Sequence, residues 1–332
     1  DTLDFAGAEI HILHVDADKH QEELYVEEDT GDVLDAAIYA RNLNVEERLN
    51  VKIVPIAGDP PVDAKTAVTA GVDEYHIVAG KQWQMMQQST EGYYFNFYDL
   101  DYIDLEQPWW AQKFIDAATI GKNRLYYLTG DATLTLLMNM GVLYVNNTLF
   151  ENQYGPINDL YDLVLAGDWN YDVMQTYVSG VYVDVNGDGK MTTDDRFGLA
   201  THGDVSLALL IGSGQSLLTK NADNMPQWSP LSEEVYNISA KTHEIFFDTN
   251  VVFMDGMTPQ GKNTAEVVNS PIIDHFSAGN SLFLCEVLGH AKILRGMDND
   301  FGILPVPKYA EGADHTTFVA RSAQVLMIPV TA

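Results

Sequence analysis

An α/β architecture in two parts is predicted by three observations. Strand and helix patterns alternate through the first eighty residues. A long middle segment then breaks that alternation. Short strand patterns near residues 124–145, 300–307 and 325–329 finally bring the chain back to where it began. The chain has 332 residues, and at roughly 150 residues per domain that length suggests two domains.

The elements justify this in order. Residues 8–15 (AEIHILHV) alternate and read as a first strand, followed by a polar, acidic loop to residue 30. Asp32 then caps a long helix whose apolar stripe is Val33, Leu34, Ala37, Ile38, Ala40, Leu43 and Leu49, with Arg41 and Arg48 facing outward. A second strand at 51–56, a short helix at 63–71 and a third strand at 75–79 complete β-α-β-α-β, which implies a parallel sheet with helices on its faces. Ligands of such sheets bind beyond the carboxyl ends of the strands. That rule points to 14–18, 55–59 and 80–83. An aromatic stretch at 89–110 is read mainly as packing, and Pro108 opens a helix to about residue 118. Residues 124–128 and 134–145 are read as strands around a break at 129–132, the first crossing between lobes. The middle segment is read as helices at 146–166, 168–179, 207–211, 232–247 and 264–278, with a buried strand at 282–287. Residues 300–307 and 325–329 supply the second and third crossings.

The totals bound the function. With 18 Lys and Arg against 48 Asp and Glu the net charge is −30. A polyanion of this kind repels nucleic acid and anionic membrane surfaces. At 46% apolar the chain can build sizeable cores. No run approaches the roughly 18–20 apolar residues of a membrane span. The single cysteine, Cys285, sits in an apolar run and reads as a small buried hydrophobe.

Residues 184–195 (DVNGDGKMTTDD) carry the sharpest local motif. Oxygen ligands stand at its first, third and fifth positions as Asp184, Asn186 and Asp188. Gly189 follows where the loop must turn, Lys190 offers its carbonyl at the seventh position, and Asp195 closes the loop at the twelfth. Ca2+ takes about six to eight oxygens at roughly 2.3–2.6 Å, and this spacing wraps them round one ion. The usual closing Glu is here an Asp. The bland alternative is a polar turn built on Asn-Gly and Asp-Gly signals. The loop is single, so a structural clip is expected rather than a paired sensor.

Enzyme signatures are absent: no nucleophile elbow, phosphate loop, zinc-protease helix or dinucleotide fingerprint is present. His11 and His14 are three apart on one strand and so face opposite ways. Aromatic and polar residues remain. Trp83, just past the third strand, and Trp228, in a loop, are candidates to stack on a sugar ring, while Trp169 reads as core.

Several segments together resemble a known family. They are 31–50 (GDVLDAAIYARNLNVEERLN), 107–110 (QPWW), 125–131 (LYYLTGD), 145–151 (VNNTLFE), 167–170 (GDWN), the calcium-type loop with Phe197-Gly198, 276–283 (FSAGNSLF) and 301–309 (FGILPVPKY). In order and spacing they resemble the extracellular solute-binding proteins of bacterial ABC importers, in the carbohydrate-type group (family 1). The resemblance implies a two-lobe, periplasmic-binding-protein-like α/β fold with a multi-strand hinge (type II) and the ligand in a cleft. Lobe 1 would be 1–130 plus 300–325, and lobe 2 would be 131–299 with the calcium-type loop. Members continue past a strand such as 325–329 into further helices of the second lobe, which are missing after residue 332. By similarity the ligand would meet His14, Asp16, Gln82, Trp83, Asp131 and Glu286, with Trp228 added from its place in a loop.

The implied protein is no enzyme. It would be a monomeric receptor, extracellular and lipid-anchored or periplasmic, that hands a carbohydrate or similar small polar solute to the membrane permease of an ABC importer. An extracellular glycoside hydrolase using a carboxylate pair is the alternative, and a calcium-dependent adhesion module is the third reading.

Overall fold

A computed structural model describes residues 3–16, 23–29, 31–190, 192–202, 211–229, 232–248, 251–255 and 271–332. By its internal contacts the chain divides into two units. Unit 1 holds residues 1–139, 220–227 and 321–332, and unit 2 holds 140–219 and 228–320.

Unit 1 is built on β1 (Ala8–Val15), β2 (Val51–Gly58), β3 (Ile77–Lys81) and β11 (Gln324–Met327). Their order in the sheet is β11-β3-β1-β2, with β1 parallel to both neighbours and β11 antiparallel to β3. Between the strands run α1 (Val33–Leu49) and α2 (Pro60–Ala70), and α3 (Gln82–Gln88) follows β3. This is the β-α-β-α-β order read from the sequence. Asp32 caps α1, its carboxylate accepting from the amide of Leu34 at 2.8 Å.

The face of α1 differs from the expected stripe. Ile38 is buried, but Val33 is 88% exposed and Leu34 and Leu43 also face water. Arg41, expected outside, turns in and donates to the carbonyls of Glu23 and Leu24, and Asn42 donates to Leu24 as well. Directed polar bonds anchor this side of the helix where apolar burial was expected. Beneath the sheet Leu13, Val78, Met85, Leu125, Leu128 and Met327 form an enclosed core. The aromatic stretch joins it through Tyr94 and Phe97, as its reading as packing requires.

In unit 2 the strands β4 (Gly141–Asn146), β5 (Phe197–His202), β8 (Val252–Asp255), β9 (Ser281–Val287) and β10 (Phe301–Leu304) form a sheet of order β10-β4-β9-β5-β8. All six residues of β4 are buried. The reason is a core on each face: Leu143, Val145, Phe283 and Cys285 meet Trp169, Tyr171 and Phe150 on one side, while Tyr144 and Leu284 meet Ile272 and Phe276 on the other. The first core is supplied by α6 (Asn147–Tyr154), α7 (Ile157–Ala166) and α8 (Tyr171–Ser179). Cys285 is buried, as expected of a small hydrophobe.

Two expectations need correction. Residues 134–145 are not one strand, because α5 (Leu134–Met138) precedes β4. Residues 300–320 cluster with unit 2, because β10 pairs antiparallel with β4 from Phe301↔Asn146 to Leu304↔Leu143. The chain passes between units at 139/140 and 320/321, and again at 219/220 and 227/228, the last two falling within the paired strands β6 (Leu218–Lys220) and β7 (Pro226–Trp228). The helix expected at 232–247 is seen: α9 (Glu233–His243) continues directly into a wider, π-type helical turn at Glu244–Asp248. Of the helix expected at 264–278, α10 (Pro271–Ser277) is seen, while 264–270, and the 207–210 part of another, lie outside the described residues.

Candidate functional site

The parallel register of unit 1 sets one edge of its sheet. His14 pairs with Ala79, so β1 and β3 end together, and the antiparallel start of β11 meets them where Gln324 pairs with Lys81. Leu128 bridges Leu326 on the far side of β11, and the Thr129 hydroxyl donates to the carbonyl of Gln324, so residues 130–131 come to the same edge. Four residues singled out from the sequence therefore share this edge: Asp16, Gln82, Trp83 and Asp131.

Each is held by backbone bonds. The amide of Asp16 donates to the carbonyl of Gly58, that of Gln82 to Ala323 and that of Trp83 to Arg321. The Trp83 ring is 43% exposed, with the Arg321 guanidinium 5.8 Å from its centroid. Asp131 is exposed, and its amide donates to the carbonyl of Trp109 at 2.9 Å. Gly130 makes this approach possible: a Cβ there would stand 2.2 Å from the Trp109 carbonyl oxygen. An exposed carboxylate and an exposed indole on the same sheet edge suit a ligand with hydroxyls on one side and C–H groups on the other.

His14 is not on this surface. It is 1% exposed, and its Nδ1 donates to the carbonyl of Val15, so its ring belongs under the edge. Glu286 and Trp228 belong to unit 2. Glu286 is mostly enclosed at the end of β9, its Oε2 accepting from the amide of Val287, with His290 Nδ1 at 3.2 Å. Trp228 is 78% exposed on β7. The sequence reading missed Trp109, half exposed beside Asp131, and Arg321. The pair Trp109-Trp110 held a signal. Of the two rings, Trp110 packs against the core while Trp109 is half exposed.

Unit 2 also carries a groove of about 580 Å³ between α8, α9 and residues 309–311, lined by Asp172, Lys241, Glu244, Tyr309 and Glu311 among others. None of the residues picked from the sequence lines it. Its ammonium is already engaged: Lys241 reaches Asp172 at 2.8 Å and Gln175 at 2.6 Å.

The calcium-type loop is closed at its base by Val183 and Arg196, which exchange backbone bonds. Gly187 and Gly189 take φ of 72° and 74°, a left-handed backbone that favours glycine. Inside, Asp184 accepts from the amides of Gly187 and Gly189, Asn186 from that of Asp188, and Asp188 from that of Lys190. Each of these oxygens keeps a lone pair free. Asp195 differs. It is fully enclosed; its Oδ1 accepts from the amide of Val185 and its Oδ2 from both the amide and hydroxyl of Thr192. The Thr192 amide holds this carboxyl below its ordinary range. The carbonyl of Asp195 accepts from His275 Nε2 at 2.9 Å, and the other ring nitrogen of His275 meets the Ser281 hydroxyl. Among the described residues no three His, Cys, Asp or Glu side chains converge as a metal-holding group. The donors expected of the motif are thus present in order along the loop, but not drawn in.

The fold is that of the periplasmic sugar-binding proteins. A cyclo/maltodextrin-binding protein solved with maltotetraose is 12% identical, with a TM-score of 0.63 over 98% of this chain and 71% of its own. A maltose-binding protein from Listeria monocytogenes, solved with maltose, is 14% identical with a TM-score of 0.60 over 98% and 71%. The GacH receptor of Streptomyces glaucescens, solved unliganded and with acarbose, is 13% identical with a TM-score of 0.55 over 98% and 72%. No family model and no curated protein matches the chain.

Proposed function

We propose that this protein is a non-enzymatic receptor that binds a carbohydrate outside the cytoplasm and delivers it to the permease of an ABC importer. One observation carries the reading. The chain follows, over 98% of its length, the fold of proteins solved with maltose, maltotetraose and acarbose. Fold alone does not assign function. The edge of unit 1 supplies the matching chemistry: Trp83 with Arg321, and Asp131 beside Trp109. A linear maltooligosaccharide is the first ligand to test. Calorimetric titration with maltotetraose is expected to give a saturable isotherm, with the sugar recovered intact. Sugar shortened on incubation would favour the hydrolase reading instead.

The importer partner, the absence of catalysis and the extracellular or periplasmic location, lipid anchor included, belong to the same proposal. No helix among the described residues is long and apolar enough to cross a membrane.

Calcium is a second part of the proposal. The ion would bind Asp184, Asn186, Asp188 and the Lys190 carbonyl, with Asp195 released from Thr192 to complete the shell. The spacing of the oxygens, their free lone pairs and the two left-handed glycines support it. Bound ion stabilises the folded state by mass action. Removing it with a chelator is expected to lower the melting temperature by several degrees and leave sugar affinity unchanged. An unmoved melting curve would make residues 184–195 a metal-free turn.

A further inference from the structure

Unit 1 buries a carboxyl group that the sugar-binding reading does not use. Glu23 is 2% exposed. Its Oε2 accepts from the amide of Thr135 at 2.5 Å and its Oε1 from the Thr135 hydroxyl at 3.0 Å. That hydroxyl in turn accepts from the backbone amide of Gln324 at 2.9 Å. The side-chain amide of Gln324 is fully enclosed and lies beside the Glu23 carboxyl, near enough for its N–H to favour the ionised carboxylate, although neither its oxygen nor its nitrogen has a partner in good hydrogen-bond geometry. Two further bonds extend the cluster: Asn139 donates to the carbonyl of Thr135, and the Ser322 hydroxyl donates to Asn139. Its position is notable. Asn139 is the last residue of unit 1 before the chain first leaves it, and Arg321 is the first after its final return.

We propose that Glu23, Thr135 and Gln324 form a proton-dependent lock that ties α5 to β11 at the root of the segments joining the two units. A protonated Glu23 still accepts both Thr135 donors, and once the Gln324 amide is turned to present Oε1 to the carboxyl, the O–H can be given to that oxygen, which is otherwise unpaired. An ionised Glu23 has no hydrogen to give, and it is a charge in an enclosed place. Arg41 on α1 is the cation that faces it among the described residues and favours the ionised form, but its guanidinium is committed to the carbonyls of Glu23 and Leu24 and to Asn42. Neither α5 nor β11 carries a charged residue, and Glu27 and Glu28 are exposed. Burial raises the Glu23 carboxyl to about 7, outweighing the lowering effects of the Thr135 donors, the Arg41 charge and the Gln324 amide.

The sign follows from linkage. The folded carboxyl holds its proton more tightly than the unfolded one. Its contribution is therefore complete below the ordinary glutamate range and is lost as pH rises through about 7. Glu23→Gln imitates the protonated form, since its carboxamide accepts and donates at any pH. The wild type and E23Q are expected to melt together at pH 5, whereas at pH 8 the wild type melts several degrees lower. In the wild type alone, the Thr135 amide resonance reports the carboxyl it donates to, and is expected to titrate with a midpoint near 7. Melting curves that stay parallel from pH 5 to 8 overturn the proposal. So does a Thr135 amide that titrates in the ordinary glutamate range, and that second reading decides the matter even where E23Q does not fold.

Discussion

Replacing Trp169 with alanine is expected to destabilise unit 2 more than any surface change. The ring is fully enclosed, tilted against Phe283 at 5.8 Å between centroids, and its Nε1 donates to the carbonyl of Pro305 at 2.9 Å. Removing a buried Trp costs about 3–5 kcal/mol through lost transfer energy and the cavity left behind. The orphaned Pro305 carbonyl adds a further cost. The residue also spans the connection between α7 and α8, its carbonyl accepting from the amide of Lys308, so the loss falls where the 305–309 segment is stitched to the core. Chemical denaturation should show a midpoint shifted well below the wild type. Tyr102→Ala is the control: that ring is wholly exposed, and surface changes stay within about 0.5 kcal/mol. Equal shifts for the two variants would mean that the unit 2 core is not as described.

The second large effect is expected on binding. Trp83→Ala removes the one exposed ring on the unit 1 edge that also carries a guanidinium over its face. Truncating an aromatic anchor at a binding hot spot costs about 2 kcal/mol or more, and about 1.4 kcal/mol is already tenfold in the dissociation constant. Maltooligosaccharide affinity should therefore fall about tenfold or more. Stability should change little, because the backbone bond from residue 83 to the Arg321 carbonyl survives the substitution. A folded variant with wild-type affinity would remove Trp83 from the site.

The sequence told these parts apart unevenly. Strands β1 to β3 were legible because local alternation and caps such as Asp32 determine them. The buried strand at 282–287 was legible from its unbroken apolar run, as a sheet covered on both faces requires. Residues 134–138 were not. Leu-Thr-Leu-Leu-Met reads equally well as a strand, and the carboxylate meeting the amide of Thr135 comes from Glu23, 112 residues away. The crossings were misplaced for the same reason, since whether 301–304 stays with unit 2 depends on its pairing with β4.

The candidate site followed the same division. Gln82, Trp83 and Asp16 followed from a general rule about strand ends, and register then brought Asp131 beside them. The burial of His14 could not be read, because a histidine one residue short of a strand's end looks alike above or below the sheet. The calcium-type loop was legible as spacing alone. That Asp195 is engaged by Thr192 and His275 depends on tertiary contacts no spacing reveals.

Calorimetric titration of the chain with maltotetraose, extended to a panel of mono- and oligosaccharides, tests the receptor reading most directly. A one-site isotherm for at least one sugar, weakened by Trp83→Ala and with the sugar recovered unshortened, is the predicted result. Heats at the level of dilution for every sugar, from protein whose melting curve is intact, would contradict it.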